Sequence, residues 1–227
     1  MGLYEREYAR SVPKKIHITN DKLNFIKQTY QLFAASLISA VLGLFLVMPY
    51  AIEVSKYFIG FVLAEFLMLF IISYTKNKPG INLLSLFAFA FLSGVTLVPV
   101  ITYLLSTSGL PIIANALVMT IFIVAIMSLY AIKTKKDLTN YPKMLMIALF
   151  VIIVFSLLNL LLLHSGILSL FISGVVVLIF SYLIIVDTQN IIQGNFSSPV
   201  EGAISLYLDF LNIFTSLLQI LGFVSED

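Results

Sequence analysis

The chain has 227 residues, of which 60% are hydrophobic and 11% charged, with a formal net charge of +2 and no cysteine. Soluble globular domains carry about 25% charged residues, so this composition excludes a soluble module. It also rules out disulfides and thiolate metal sites, and the small net charge gives no support to a nucleic-acid partner. What remains is a polytopic membrane protein whose first partner is the lipid bilayer.

Residues 1–28 are polar and basic, without the apolar run of a cleavable signal, and read as a cytoplasmic N-terminal arm. Seven apolar stretches follow, near residues 29–49, 57–75, 82–106, 110–132, 143–163, 165–187 and 203–224. At 1.5 Å per residue, about 20 residues cross a hydrocarbon core roughly 30 Å thick. Helices are forced, because backbone groups in lipid must pair within their own segment, and the alternation of a barrel strand is absent. The fold class is therefore all-α, a single seven-helix transmembrane domain over residues 29–227.

Taken in chain order, the second span carries one acid, Glu65, eleven residues ahead of Lys76 and so about 16 Å deeper. It is read as a hydrogen-bonded group inside the bundle and a candidate on an ion path. Lys76 and Lys78 follow that span. Pro99 interrupts the third span after Ser93 and Gly94, which predicts a kink. Asn159 closes the fifth span and is read as a helix–helix polar contact, while His164, alone in the next turn, makes a poor metal site.

The sixth span ends in LIFSYLIIVDTQ, with Asp187 inside the apolar run, and the seventh holds Asp209 within LYLDFLNIF. An ionised carboxylate at bilayer depth costs several kcal/mol unless it faces partners or water. In the last span Ser205, Asp209, Asn212, Ser216 and Gln219 recur at steps of four, three, four and three, which aligns them on one helix face. That stripe predicts a helix surrounded by the others or lining a wet cavity.

Asp187 and Asp209 are 22 residues apart, and the midpoint is Ser198 in the turn Ser197-Ser198-Pro199. A hairpin folded there, with helix ends near 192 and 203, brings both acids to one depth, roughly 8 to 10 Å from the interface. Two carboxylates sharing a poorly solvated site resist simultaneous ionisation and titrate in two macroscopic steps. Such a pair senses protons. Fully ionised, it also offers hard oxygen ligands suited to Ca²⁺. Lys76 is the candidate latch, a counter-charge for Asp187 at the inner mouth.

Twelve of the thirteen Lys and Arg residues fall on one side of this topology, in the N-terminal arm and the linkers after the second and fourth spans; only Lys56 lies on the other. The positive-inside rule then places the N-terminus in the cytoplasm and the C-terminus outside.

VDTQNII followed by AISLYLDFLNIFTSLLQILG resembles the C-terminal signature of the Bax inhibitor-1, or transmembrane Bax inhibitor motif, family in its bacterial branch. LFAFAFLSGVTLVPVI, SLYAIKTKKDLTNY and Glu65 are similar to it as well, so the likeness extends over all seven spans. The resemblance implies two three-helix layers around a central seventh helix, in a bacterial inner membrane. It further implies a pH-sensitive calcium leak in which the aspartates matching Asp187 and Asp209 form the sensing pair. Lys76 stands where the family places an arginine latch, and lysine lacks the bidentate fork. Calcium is then cargo, and no cofactor is expected.

Two other functions compete with the leak. One is a regulatory protein that restrains a membrane protease or a death pathway; the other is a Ca²⁺/H⁺ antiporter. An intramembrane aspartyl protease is disfavoured because its GxGD motif is replaced by LYLD, with Leu206 and Leu208 flanking Tyr207, so no enzymatic activity is expected.

Overall fold

The computed structural model describes residues 20–75, 78–139 and 142–226. Among these residues there is no strand, and seven helical segments are long and apolar enough to cross a membrane. The order is α1 (Asn20–Val47), a 3₁₀ turn, the short α2 (Ala51–Lys56), α3 (Phe58–Thr75), α4 (Pro79–Thr107), α5 (Leu110–Lys133), α6 (Pro142–Leu158), α7 (Gly166–Gln193) and α8 (Pro199–Glu226). Helix α1 starts nine residues ahead of the apolar run expected from residue 29. Residues 1–19 of the arm, and Lys76 with its proposed latch, lie outside the described residues.

The expected two-layer arrangement is present. Helix α4 packs between α1 and α3, α7 packs between α5 and α6, and α8 touches α1, α4, α5 and α7. In α8, 56% of the apolar stretch is buried inside the bundle, against 6% for α6. A polar stripe is tolerable on the first helix and would be costly on the second.

Close approach of α1 and α4 depends on two glycines. A Cβ at Gly94 would lie 1.9 Å from the Ala40 carbonyl oxygen, and one at Gly43 would lie 2.2 Å from that of Phe91. Only hydrogen fits, as in other small-residue helix contacts in membranes. Ser39 adds a hydrogen bond from its hydroxyl to the Phe87 carbonyl, 2.9 Å. Helix α4 runs through Pro99 as one continuous element, and the Thr102 hydroxyl donates to the carbonyls of Val98 and Pro99.

The α7–α8 hairpin is built from local signals. Gly194 ends α7 in the left-handed region (φ +77°), and its N–H and that of Asn195 bond back to the last carbonyls of the helix. Pro199 opens α8 while Ser198 Oγ accepts from the Glu201 N–H and the Glu201 carboxylate accepts from the Ser197 N–H at 2.6 Å. At the turn between α6 and α7, Asn159 bonds the Ser165 N–H, the Ser165 carbonyl and the Ser169 hydroxyl. It therefore staples a turn, and His164 beside it is the left-handed residue (φ +48°) that closes it.

Candidate functional site: a buried carboxyl pair and an open cleft

Asp187 and Asp209 meet. They are 9% and 3% exposed, and their carboxyl groups lie within hydrogen-bonding reach of each other. Ser205, one turn before Asp209 on α8, donates its hydroxyl to Asp187 Oδ2 at 2.5 Å. Asp209 Oδ2 is buried without a hydrogen-bond partner. A hydrogen bond between two carboxyls needs one proton between them, so the pair as built holds a proton or repels.

Asp187 lies within the expected range of roughly 8 to 10 Å from its helix end, and Asp209 does not. Asp187 sits six residues, about 9 Å, from the end of α7, whereas Asp209 sits ten residues, about 15 Å, from the start of α8. Helix α8 begins at Pro199 rather than near 203, and its added first turn packs against α1 and α7. A Cβ at Gly202 would fall 2.9 Å from Thr29 and 3.1 Å from Ile191. The extra turn offsets the difference in count.

Residues beside Asp187 tie the same level to other elements, and the pattern search missed them. Thr188 is within 3.3 Å of the Ser128 hydroxyl on α5 and 3.4 Å of the Tyr30 hydroxyl on α1. Gln189, 6% exposed, accepts from the Leu138 N–H at 2.8 Å and donates to the Lys136 carbonyl at 2.9 Å, so it fixes the α5–α6 loop. In that loop Asp137 accepts from the hydroxyl and N–H of Thr139, and these bonds hold its carboxyl below the usual carboxylate range. Among the described residues no lysine pairs with either membrane carboxylate; Lys78 lies over the Tyr74 ring instead.

The stripe on α8 divides in two. Ser205, Asp209 and Ser216 turn into the bundle, whereas Asn212 and Gln219 line a cleft of about 510 Å³ between α3, α4 and α8. Glu65 lies in that cleft and accepts from the Thr96 hydroxyl at 3.1 Å. Gln219 is exposed at its rim, where its carbonyl accepts from Ser173 at 2.6 Å. Glu65 is therefore not part of the aspartate pair. On the α4 side of α8, buried Tyr207 hydrogen-bonds Ser93 and packs edge-on against Phe89.

Neither place assembles a resident metal centre: among the described residues, no three His, Cys, Asp or Glu side chains gather around one point. Two carboxylates supply at most four of the six to eight oxygens Ca²⁺ takes.

The family model described as inhibitor of apoptosis-promoting Bax1 matches residues 22–226. A protein of Helicobacter pylori is 44% identical over 228 residues, covering 100% of this chain and 99% of its own length. One of Campylobacter jejuni is 44% identical over 226 residues, 97% of each chain. The modulator of FtsH protease YccA of Escherichia coli is 37% identical over 160 residues, 70% of this chain and 72% of its own.

Proposed function

Because the chain belongs to the Bax inhibitor-1 family, whose model spans residues 22–226, we propose that it is a proton-gated cation leak of the bacterial inner membrane, with calcium as cargo. The observation that carries the reading is the buried Asp187–Asp209 pair, to which Ser205 donates its hydroxyl; we take one proton to be shared between the two carboxyls. With the proton in place, the pair pins α7 to α8. With both groups ionised, like charges about 4 Å apart repel by on the order of 4 kcal/mol at an effective dielectric near 20. That outweighs one or two helix–helix hydrogen bonds in a membrane, each about 1 kcal/mol or less. Loss of the proton thus parts the helices and exposes two hard oxygen groups to a passing cation. Two carboxylates suit an ion in transit better than one in residence. The distribution of lysine and arginine supports a cytoplasmic N-terminus, and no enzymatic step is assigned.

The test is calcium flux into liposomes loaded with a calcium dye. Flux should rise with pH, and Asp209→Asn, which keeps the hydrogen bond but cannot ionise, should give low flux at every pH from a folded protein. Wild-type pH dependence in that variant would sink the sensor.

One similarity favours a second reading. The chain resembles a protein named as a modulator of the FtsH protease, and most of the described residues of α6 are exposed, free for lipid or another membrane helix. In this reading the protein binds a membrane protease, and the acid pair only sets the shape of the bundle. Co-isolation with an FtsH-type protease, unchanged by Asp209→Asn, together with absence of flux, would favour it over the leak.

A further inference from the structure

We propose that the cleft between α3, α4 and α8 is a cation-binding vestibule, separate from the carboxyl pair, in which Glu65 supplies the single negative charge and Thr96, Asn212 and Thr215 supply neutral oxygens. The onward route of the ion rests on the leak reading; the site stands on its own geometry.

The hydroxyl donors of the cleft around Glu65 are already spent on the protein, and the amide nitrogen of Gln219 stands at the exposed rim. The Asn212 amide nitrogen donates to the Leu208 carbonyl at 2.7 Å, which leaves the amide oxygen for the cavity. The Thr215 hydroxyl donates to the Leu211 carbonyl at 2.9 Å and keeps its lone pairs free. The Thr96 proton is shared between Glu65 at 3.1 Å and the Ser93 carbonyl at 3.0 Å. Among the described residues no lysine or arginine lines the cleft. A cavity that presents acceptors and one carboxylate is chemically selective for cations. Its volume of about 510 Å³ admits an ion with its water, since eight waters at roughly 30 Å³ each need about 240 Å³. A single carboxylate and retained water imply weak, millimolar holding, as in calcium sites with few charged ligands.

Asn212 also connects the two places. It lies three residues beyond Asp209 on α8, about 4.5 Å along the axis. An ion leaving the vestibule past the Asn212 oxygen therefore meets the aspartate pair next. Glu65 concentrates the ion, and the pair decides whether it continues.

The chain has no cysteine, so Val62→Cys, one turn from Glu65 and lining the cleft, gives a single thiol probe in the full-length protein in nanodiscs. With each rate normalised to that of the same reagent with a free thiol in solution, a cationic methanethiosulfonate reagent should label it at least about tenfold faster than an anionic one of similar size, and 10 mM Ca²⁺ should slow the cationic reagent several-fold. Adding Glu65→Gln should abolish both effects. Adding Thr215→Val should weaken the Ca²⁺ protection and leave the charge preference, which separates loss of a ligand from loss of the fold. Labelling blind to reagent charge and to Ca²⁺ would overturn the vestibule, whatever the flux. In liposomes Glu65→Gln should lower flux without altering its pH dependence, whereas Asp209→Asn should remove the pH dependence; charge-selective labelling without any flux would defeat the leak and keep the vestibule.

Discussion

The two halves of α8 treat acidic groups in opposite ways. Toward the α7–α8 hairpin, Asp187 and Asp209 are buried, and the neighbouring polar side chains Ser205, Thr188 and Gln189 are bonded to other elements. Toward the other end α4 and α7 separate, and Glu65, Asn212 and Gln219 face an open cleft. One helix carries both: its first half is enclosed at the carboxyl pair, whereas its second half, although still touched by α7 at Gln219 and Phe223, opens on one side onto the cleft toward α3 and α4. In the proposed function a sealed acid pair parts its helices on losing a proton, whereas an acid in an open cleft changes its charge without moving anything. Position along one helix would then separate sensing from attraction.

The comparison presupposes that α4 stays seated against α1, and the largest expected effect breaks that seat. Gly94→Ala would place a methyl 1.9 Å from the Ala40 carbonyl, with backbone on both sides and no flexible side chain to yield. A loss of about 3 kcal/mol or more is expected, read as a lowered thermal midpoint in detergent. The same change at Gly60, where a Cβ meets nothing within 4 Å, should be neutral or slightly stabilising.

Next in size is the same truncation made in both halves. Asp187→Ala strands Asp209 and the Ser205 hydroxyl in a buried site, and should cost about 3 kcal/mol. Glu65→Ala removes a half-buried group at the edge of an open cleft, held by the Thr96 hydroxyl, and should cost about 1 kcal/mol or less. Equal costs in unfolding experiments would show that the two halves are not differently solvated.

Much of this division was legible in the sequence, for physical reasons. Apolar runs of bilayer length dictated seven spans, and the i, i+4, i+7 recurrence in 205–219 identified the helix that must be enclosed. The symmetric placement of two aspartates about Ser198 predicted their meeting. Periodicity could not say that the stripe divides, because Asn212 and Asp209 differ by one turn in height and by the neighbour each faces, which is a tertiary property. Nor did it flag Gln189 or Thr188, whose partners are a loop backbone 51 and 53 residues away and a hydroxyl 60 residues away. The VDTQ run is their local signal, and its polarity alone does not name their partners.

Gln189 gives the third test. Its side chain fastens the α5–α6 loop to the sealed half through both a donor and an acceptor, so Gln189→Ala leaves the Leu138 N–H and the Lys136 carbonyl without these partners. About 1 to 2 kcal/mol of local stability should be lost, seen as faster hydrogen exchange in residues 134–139 with little change in α8. If α8 loosened equally, the loop and the acid pair would be one cooperative unit.

The smallest effect separates the pair's pH response from that of the loop beside it. Asp137 is exposed, and its bonds from Thr139 depress its pKa. A group whose folded pKa is lowered contributes stability that is fully present above its unfolded value, about 3.9, and is lost as pH falls through the folded value. The Thr139 turn should therefore be constant between pH 5 and 8 and loosen only below about pH 4, and Asp137→Asn should remove that loosening in exchange measured on residues 134–139. Since the loop is silent across the neutral range, any change in flux between pH 5 and 8 has to come from elsewhere. If Asp137→Asn shifted the flux profile in that window, the loop rather than the buried pair would be the sensor, and the distinction between a sealed and an open half would lose its functional meaning.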